Sequence, residues 1–298
     1  MLSLSDAAVQ LSKEQATKLW RAASKTITMF SLPLSFIGAR VCYHDGDPLN
    51  LLEELQRPGK AYKLLRNCLQ AGHHSIFAHT PVLVPKRSVF PYYAGQGFKV
   101  WHLTNHFCLN LRHFTEAVPE LVHDELLATF QRETLSIPVF HEVATGELSD
   151  LGIRLFVHQL PLEPDNDVWW WSILIDGLSR CCSHQIVRHT TLNFNQRSNR
   201  YTRVQTVLVP PSLRDRDDVQ MYLDQAEEWY ETLVESGVPK EDARYLYPHG
   251  ARTVLLMSGP NFLVWDFVTK RAHPKAQWEI RAIAEALLTL FTTDEGNE

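Results

Sequence analysis

The chain has 298 residues, of which 45% are hydrophobic and 21% charged, and its formal net charge is −5. This length allows one large domain or two modest ones with a sizeable core, and the composition excludes disordered and fibrous classes. The acidic balance argues against a nucleic-acid partner, because proteins that bind nucleic acid carry a basic surface. Any anionic ligand must therefore be held by a local cluster of arginine or lysine.

The cysteine pattern indicates reduced thiols in a cytoplasmic protein. The number of cysteines is odd, and no two of them have C-x-x-C spacing. They are Cys42, Cys68, Cys108, Cys181 and Cys182. Residues 1–20 carry polar and acidic side chains where a secretory signal has an apolar core. A membrane-spanning helix needs about 18 or more apolar residues in a row, and since no such run occurs we expect no membrane partner.

In the first half of the chain the pattern predicts mainly helices. Residues 3–25 are predicted to form a short helix that Ser5 can cap. Residues 49–71 predict one amphipathic helix or two short ones. The tract 80–101 contains strand-like runs broken by Pro and Gly, and residues 110–142 are predicted to be mostly helical.

In the second half, strands and helices mix without a regular βαβ alternation, which favours the α+β class. Residues 150–167 are predicted to be a loop-rich join, because they are rich in proline and acidic residues. Strands are predicted at 169–175 and 204–210. Acidic residues 217–236 and residues 275–293 predict two amphipathic helices.

One polar segment, 184–204, is the best candidate for a binding site. Guanidinium groups bind phosphate with fixed geometry, and hydroxyl and amide groups add further donors. The alternative is a solvated polar loop, but the segment lies between two apolar elements, which favours a pocket. Its polar residues include Gln185, Arg188, Asn195, Gln196, Arg197, Ser198, Asn199, Arg200, Tyr201 and Arg203.

Part of this segment resembles the signature loop of flavin-dependent thymidylate synthases. That signature is R-H-R, followed seven residues later by Ser and then by R-Y, and residues 188–201 read RHTTLNFNQRSNRY. The preceding SRCCSHQIVRH at 179–189 is similar to the helix that leads into that loop. Further blocks in the family's order are AGHHSIFAH at 71–79, ESGVPKEDARYLYP at 235–248 and FVTKRAHPKAQWEI at 267–280.

The resemblance implies roles for individual residues. The implied contacts to a uracil nucleotide are Gln185, Arg188, Gln196, Arg197, Ser198, Asn199, Arg200, Arg244 and Arg271. The implied flavin contacts are His73, Ser75, Arg188, His189 and Gln196. Arg271 is the implied catalytic residue, because it matches an arginine that favours the ionised N3 of uracil. No metal site is implied.

Alternative roles remain open for several of these residues. Arg244 and Arg271 can also be surface ion-pair residues. Without the resemblance, we would prefer this interpretation. His79 is as readily a core histidine as a ligand, while Gln277, Trp278 and Glu279 are interpreted as structural.

The activity implied is methylation of carbon 5 of dUMP to give dTMP, with FAD as cofactor and NADPH and methylenetetrahydrofolate as co-substrates. The family assembles as a homotetramer with sites shared among subunits, so the resemblance implies this assembly too. One variant hypothesis keeps the chemistry but changes the substrate to UMP or a modified uridine nucleotide of a specialised pathway. A hypothesis of another class is a catalytically impaired paralogue that only binds a nucleotide.

The chain departs from the family pattern at several positions. Thr190 replaces the second arginine of R-H-R, and the family's acids are Ala78 and Gln196 here. Where the family has N-x-R near the flavin's adenosine, this chain reads Pro260-Asn261-Phe262, with Asp266 at a later flavin-contacting position.

We predict one catalytic domain over residues 1–298 with an insert at about 81–167. The insert contains Asn110-Leu111-Arg112, an N-x-R. Residues 103–121, which contain this motif, and residues 255–271 both run from a strand-like stretch into a helix, and the two segments are weakly similar. The hypothesis is that Asn110 and Arg112 replace the missing flavin contacts. Chance similarity of two strand-to-helix joins is the alternative.

Overall fold

The computed structural model describes residues 12–23, 25–47, 50, 54, 58–89, 100–132, 137–204 and 206–292. The described helices are α1 (Lys13–Ala22), α2 (Lys25–Tyr43), α3 (Pro58–Gln70), α4 (Lys86–Val89), α5 (Arg112–Ala117), α6 (Pro119–Arg132), α7 (Gly146–Leu151), α8 (Arg180–Ile186), α9 (Asp217–Glu235), α10 (Lys240–Ala243), α11 (Asn261–Arg271) and α12 (Trp278–Thr292). The described strands are β1 (Pro81–Pro85), β2 (Trp101–His102), β3 (His106–Asn110), β4 (His141–Glu142), β5 (Arg154–Glu163), β6 (Val168–Ser179), β7 (Asn193–Gln196) and β8 (Arg252–Pro260). Short 3₁₀ turns lie at His74–His79, Pro164–Asn166, Pro211–Leu213 and Arg244–Leu246.

A five-stranded antiparallel sheet with the order β4-β5-β6-β8-β7 organises the molecule. Its central strand β6 is buried on both faces, and alternate residues enter two different cores. Trp170 and Leu174 pack with helices α1 to α3, α5 and α6. Trp171, Ile173 and Ile175 pack with helices α7, α8, α11 and α12. The sheet is therefore a layer between two sets of helices, which confirms the predicted α+β class.

A smaller antiparallel sheet, β1-β3-β2, joins the first of these cores. Trp101 of β2 lies edge-on to Trp170 with 5.4 Å between ring centroids. The buried carboxylate of Glu163 accepts hydrogen bonds from the Thr104 and Asn105 N–H groups, both at 2.9 Å, and contacts His106 Nδ1 at 2.6 Å. These bonds tie the turn between β2 and β3 to the end of β5.

The predicted insert at about 81–167 is built into both sheets. It supplies β1 to β3, and its strand β5 pairs with β6 along the whole length of β5. The prediction of a loop-rich join at 150–167 was therefore wrong. Apolar residues at Leu155 to Val157 gain their strand partner from β6, and Pro161 is accommodated next to a register shift. The single-domain boundary and the insert stay predictions.

Other sequence predictions have mixed outcomes. The helix predicted at 217–236 and the final helix at 275–293 are observed as α9 and α12, and the strand at 169–175 as part of β6. The strand predicted at 204–210 was wrong, since its described residues make a single isolated bridge, Val207 to Ala251. The predicted cap at Ser5 lies outside the described residues, and Ser12 caps α1 instead.

Among the described helices, none combines the length and apolar character needed to cross a membrane.

The β6 strand contains a bulge that only glycine fits. Gly177 has φ 87°, and β6 shifts register there between Asp176 and Leu178. A Cβ atom at Gly177 would lie 2.5 Å from the carbonyl oxygen of Gly152. Both carbonyl oxygens, of Gly152 and Gly177, accept hydrogen bonds from Arg252 Nη1 at 3.0 and 2.7 Å. The close approach thus joins β6 to the end of α7.

We expect Gly177→Ala to lower the free energy of unfolding by about 3 kcal/mol, because left-handed strain adds to a backbone collision. Urea unfolding followed by circular dichroism measures this change. Gly146→Ala is the matched control, since a Cβ atom there meets nothing within 4 Å. Equal stabilities of the two variants would contradict the expectation.

Candidate active site

Helix α8 carries two basic side chains, Arg180 and His184, and buried hydrogen bonds fix its beginning. Ser179 is the N-cap, and its hydroxyl accepts a hydrogen bond from the Cys182 N–H at 3.0 Å. The carboxylate of Glu279, on the first turn of α12, accepts two more, from the N–H and the hydroxyl of Ser179, both at 2.6 Å. Glu279 is fully buried. This geometry supports the structural interpretation of Glu279.

We expect Glu279→Ala to lower the free energy of unfolding by about 3 kcal/mol, since it leaves the buried Ser179 N–H without its acceptor. Glu279→Gln is the milder control, because its amide can still accept from that N–H. Chemical unfolding of both variants tests the difference. An alanine variant as stable as the glutamine variant would contradict it.

The shifted pKa of Glu279 predicts the direction in which the stability of the protein changes with pH. Burial raises this pKa, and the hydrogen bonds from Ser179 oppose the rise. The folded state therefore holds this proton more tightly than the unfolded chain. The contribution of this proton to the free energy of unfolding is fully present below the ordinary glutamate pKa. It is lost as pH rises through the raised pKa that Glu279 has in the folded protein. This component of the pH dependence should disappear in Glu279→Gln.

A cavity of about 360 Å³ opens beside α8. It is lined by Arg180, His184, Asn199, Arg244, Tyr245, Tyr247, Pro248, His249 and Ala251. Arginine and histidine account for four of these nine residues and none of the nine is acidic, so the cavity suits an anion. Its volume lies within the range of about 300–1,000 Å³ that is common for small-molecule sites.

The two guanidinium groups of the cavity are held by neutral oxygen atoms. Arg180 Nη2 donates to the Arg197 carbonyl oxygen at 2.8 Å and to Asn199 Oδ1 at 2.6 Å. Arg244 Nε donates to the Glu241 carbonyl oxygen at 3.0 Å. Burial, and then the charge of Arg244, lower the pKa of Arg180. Because neither guanidinium pairs with a carboxylate in the part of the chain described, an anion between them would relieve the repulsion.

A second group of basic residues lies at the carboxyl end of α8. Arg271 Nε donates to His189 Nε2 at 2.8 Å, and Arg271 Nη2 donates to the Gln185 carbonyl oxygen at 3.4 Å. The His189 ring lies edge-on to Phe267 at 4.9 Å between centroids. Burial and then the charge of Arg271 lower the pKa of His189 to about 4. The ring is therefore neutral at pH 7 and can accept the bond.

Arg188 follows α8 and lies next to this second group in the chain. Its side chain is exposed, and within the described ranges it forms no hydrogen bond or ion pair. The charge of Arg188 nevertheless contributes to lowering the pKa of His184, after burial, His249 and Arg180. Arg188 therefore stands electrostatically close to the cavity without lining it.

The signature loop itself is divided between interior and surface. Gln196 Nε2 donates to the Ser183 hydroxyl at 2.8 Å. Arg197 is buried, and its Nη2 donates to the Gly46 carbonyl oxygen at 2.8 Å, while its Nε and Nη1 atoms have no partner among the described residues. The side chain of Arg197 thus lies in the interior of this chain and does not line the cavity.

The end of the loop approaches the cavity. The Ser198 N–H donates to the Cys42 carbonyl oxygen at 3.0 Å, which fixes the loop on α2. Asn199 lines the cavity. Arg200 is exposed and Arg200 Nε donates to Glu241 Oε2 at 2.6 Å. The backbone carbonyl oxygen of Glu241 also accepts a hydrogen bond from Arg244 Nε, at the end of α10. Because both arginines contact Glu241, Arg200 is a close neighbour of the cavity.

Of the predicted nucleotide contacts, only Asn199 and Arg244 line this cavity. Gln185 and Arg271 form the second group, and Gln196 is turned toward α8. A single chain therefore does not gather all the predicted arginines around one cavity. It forms two basic groups connected by one short helix.

The predicted flavin contacts of the early block lie on the surface. His73 and Ser75 are exposed. The ring of His73 lies 6.1 Å from the ring of Tyr43, which in turn lies 5.1 Å from Tyr201. Two aromatic contacts thus connect this block with the signature loop.

His79 is a core histidine. Its Nδ1 contacts Ser258 Oγ at 2.7 Å and its Nε2 contacts Asn195 Oδ1 at 2.8 Å. Burial lowers its pKa to about 4. Both ring nitrogens have partners inside the protein, which favours the structural alternative over a ligand role.

Asn110 and Arg112 have separate surroundings. Asn110 is buried and its Nδ2 donates to Asn193 Oδ1 at 3.3 Å, while its Oδ1 has no partner within the described part of the chain. Arg112 is exposed and its Nε donates to Glu116 Oε1 at 2.7 Å. The strand-to-helix setting is observed, because β3 leads into α5 as β8 leads into α11. Flavin binding by this pair stays a prediction.

Sequence reasoning missed Arg180, His184, Tyr245 and His249, all of which line the cavity. One signal was available. Arg180 and His184 are four residues apart, which puts them on one face of a helix. Nothing in the sequence pattern pointed to His249, because its place is set by the turn before β8.

In the described part of the chain, no group of three or more His, Cys, Asp or Glu residues is placed to hold a metal ion. At the positions where the chain departs from the family pattern, Thr190 is exposed and Phe262 is 43% exposed.

Comparison with known proteins gives a match to one family. Residues 170–294 match the family model of the thymidylate synthase complementing protein. The flavin-dependent thymidylate synthase of Saccharolobus solfataricus is 37% identical over 133 residues, which are 40% of this chain and 51% of that protein. The enzyme of the same name from Geobacter sulfurreducens is 35% identical over 124 residues, 39% of this chain and 53% of that protein. The chain thus spans about half the length of these curated relatives.

Among solved structures, a UMP/dUMP methylase PolB from Streptomyces cacaoi, bound with 5-Br dUMP, is similar with 24% identity and a TM-score of 0.38. The similarity covers 42% of this chain and 67% of that one. The early block at 71–79 lies outside the range that the family model matches, whereas α8, the signature loop, Arg244 and Arg271 lie inside it. Residues 170–294 of this chain therefore resemble the thymidylate synthase complementing proteins, and the relatives that it matches over part of their length are named flavin-dependent thymidylate synthases.

Proposed function

We propose that the protein is a methyltransferase that methylates carbon 5 of a uracil nucleotide, converting dUMP to dTMP with FAD as cofactor and NADPH and methylenetetrahydrofolate as co-substrates. The observation that carries this proposal is the arrangement around α8. A basic cavity without carboxylates lies at one side of the helix, and the Arg271–His189 pair lies at its carboxyl end. Both lie in the part of the chain that matches the family.

The phosphate of the nucleotide is assigned to the cavity. Arg180 and Arg244 supply guanidinium donors suited to phosphate oxygens, and Asn199 and Tyr245 supply uncharged polar groups. Arg200, next to the cavity, is the further candidate from the signature loop. A dianionic phosphate is the natural partner for two guanidinium groups that otherwise repel each other.

Arg271 is assigned to the uracil ring. Carbon 5 becomes nucleophilic when N3 loses its proton, because the anion delocalises its charge through the ring. A guanidinium fixed at the N3–O2 edge stabilises that anion in the way that an oxyanion hole does. His189 accepts from Arg271 Nε and so orients the guanidinium. The Nη1 atom makes no bond among the described residues, which leaves it for the substrate.

The residues near α8 also fit a flavin. Arg188 is exposed and unpaired in the described ranges, so its guanidinium suits a pyrophosphate, and the neutral His189 ring suits a flavin heterocycle. His73, Ser75 and Gln196 would supply the remaining polar contacts. When bound, reduced flavin provides the reducing equivalents for the transfer.

A homotetramer is part of the proposal, with neighbouring subunits supplying the contacts that a single chain lacks. Exposed apolar residues on one surface helix support this assembly. Met221, Tyr222 and Trp229 of α9 are 70%, 57% and 55% exposed, and α9 buries only Ala226 and Tyr230. Large exposed apolar side chains on one helix are common at subunit contacts. Light scattering of the purified protein measures the assembly.

One observation favours a second candidate, a catalytically impaired protein that only binds a nucleotide. Phe262 is exposed where the family pattern has an arginine near the flavin's adenosine, and Thr190 removes another guanidinium. The visible spectrum of the purified protein separates the candidates. Absorbance typical of bound flavin supports the enzyme, whereas a colourless protein after incubation with FAD supports the binding protein.

Tritium release tests the reaction. The purified protein is incubated with FAD, NADPH, methylenetetrahydrofolate and dUMP labelled with tritium at carbon 5, and in parallel with labelled UMP. Release from dUMP supports the proposal, and release from UMP alone supports the variant with a ribonucleotide substrate. The Saccharolobus solfataricus relative is the positive control. No release from either nucleotide, under conditions where that control is active, would overturn the proposed function.

A further inference from the structure

Two histidines form part of the cavity wall, and neither belongs to the contacts implied by the family motifs. His184 lies in the last turn of α8, and His249 lies in the turn before β8. Their rings meet edge to face, with 5.5 Å between centroids and an interplanar angle of 87°. The Cys181 N–H donates to the His249 carbonyl oxygen at 3.0 Å, which holds this turn against α8. The pair is therefore a built part of the cavity.

Among the described residues, arginine guanidinium groups supply the positive charge near this pair. Arg180 and Arg188 face His184, and Arg244 lines the same cavity together with Tyr245 and Tyr247. The carboxylate of Glu241, whose backbone carbonyl oxygen accepts from Arg244, is bonded to Arg200. Burial first, and then these neighbouring charges, lower the pKa of His184. Without an anion, the positive charge of the arginines opposes protonation of His184.

A dianion placed between Arg180 and Arg244 reverses this balance, because it adds two negative charges beside the imidazole rings. Arg180 also has a donor that is not yet used, since Arg180 Nε is buried and makes no hydrogen bond to the residues that the structure describes. We propose that His184 and His249 belong to the phosphate subsite and that the pair takes up a proton when the phosphate group binds. The proposal deepens the proposed function, on which it rests for the identity of the phosphate as that of a nucleotide.

The sign of the pH dependence follows from linkage. The bound anion favours the protonated pair, so the pKa of the pair is higher in the complex than in the free protein. Anion affinity is then highest below the free-state pKa and falls as pH rises through the bound-state pKa. Sulfate is the cleanest probe, because its own charge is constant over this range, whereas a phosphate monoester has a second pKa of about 6.

The first measurement follows the histidine ring resonances of the full chain by NMR over pH, with and without sodium sulfate. His184→Gln and His249→Gln assign the two resonances. We expect sulfate to raise the midpoint pH of at least one of these titrations by about one, which corresponds to about tenfold tighter binding by the protonated pair. Unchanged midpoints for both histidines would overturn the proposal.

The second measurement compares dissociation constants for sulfate at pH 6 and pH 8. The wild-type protein should bind sulfate several-fold more tightly at pH 6, with about tenfold as the upper limit set by a midpoint shift of one, and the double variant with both glutamines should lose this difference. His123→Gln is the matched control, because His123 lies on α6 beside Asp124 and away from the cavity. A pH dependence that persists in the double variant would also overturn the proposal.

These outcomes are separate from the test of the proposed function. Methylation activity together with unchanged histidine titrations would refute the phosphate role of the pair and leave the reaction in place. Shifted titrations in a protein that releases no tritium would leave the anion site in place and refute the reaction. Because both histidines are exposed, their glutamine variants should fold, and the wild-type titration requires no variant.

Discussion

Arg271→Ala is expected to lower kcat for uracil methylation by about a hundredfold or more. A guanidinium that stabilises the developing N3 anion acts mainly on the reacting state, and removal of one such donor typically costs about 100- to 1,000-fold in rate. The KM for the nucleotide should change much less, because ground-state binding depends chiefly on the phosphate. Tritium release at saturating dUMP measures kcat, and the dependence on dUMP concentration gives KM.

Two further variants make this test specific. Lys270→Ala removes the adjacent positive charge, which is paired on the surface with Asp266, and should retain kcat. His189→Gln keeps an acceptor for Arg271 Nε and should retain more activity than His189→Ala, because the acceptor orients the guanidinium. An Arg271→Ala enzyme with kcat close to that of the wild type would show that this residue does not act on the uracil ring.

The sequence predicted those elements whose pattern is local. Helix α9 shows an acidic amphipathic period over its whole length, and β6 has the continuous aromatic and branched apolar run of a central strand. The sequence pattern did not predict strand β5, because the strand depends on pairing with another segment and not on its own residues. The prolines and acidic residues of segment 160–167, which overlaps the end of β5, suggest a loop, and only pairing with β6 makes β5 a strand.

The candidate site was predictable in composition but not in arrangement. The signature loop and the matching arginines indicated the resemblance to the family, yet the direction of each side chain depends on the segments that carry it. Arg197 is turned into the interior, where the Gly46 carbonyl oxygen accepts its bond, while Asn199 two residues later reaches the cavity. The strand ends at Gln196 and the backbone enters a turn at Asn199, so the two-residue period of a strand, which would put both side chains on the same side, does not hold here.

The cavity also needs segments that are distant in the sequence. Arg180 begins α8, Arg244 follows α10, and His249 precedes β8. What brings them together is the pairing of β6 with β8, which places the end of one strand beside the beginning of the other. Ser179 of β6 is opposite Arg252 of β8, so the residues that flank these positions share one end of the sheet. No spacing in the sequence indicates that register.

Arg244→Gln is expected to weaken dUMP binding by about 10- to 100-fold. A hydrogen bond to a charged group contributes about 1.5–3 kcal/mol, and every 1.4 kcal/mol is about tenfold in affinity. The effect should depend on the phosphate, because Arg244 lines the basic cavity with Arg180 and forms no ion pair among the described residues. Calorimetric titration of the wild-type and variant proteins with dUMP measures the change.

Deoxyuridine, which lacks the phosphate, provides the decisive comparison for this variant. Its weaker binding should be nearly the same in the wild-type protein and in Arg244→Gln, since the base and sugar do not need the cavity arginine. Arg216→Gln is the matched control, because Arg216 is an exposed arginine paired with Asp218 at the start of α9. If Arg244→Gln weakens deoxyuridine and dUMP equally, the cavity does not hold the phosphate, since only a phosphate-specific loss distinguishes a direct contact from a general disturbance of the fold.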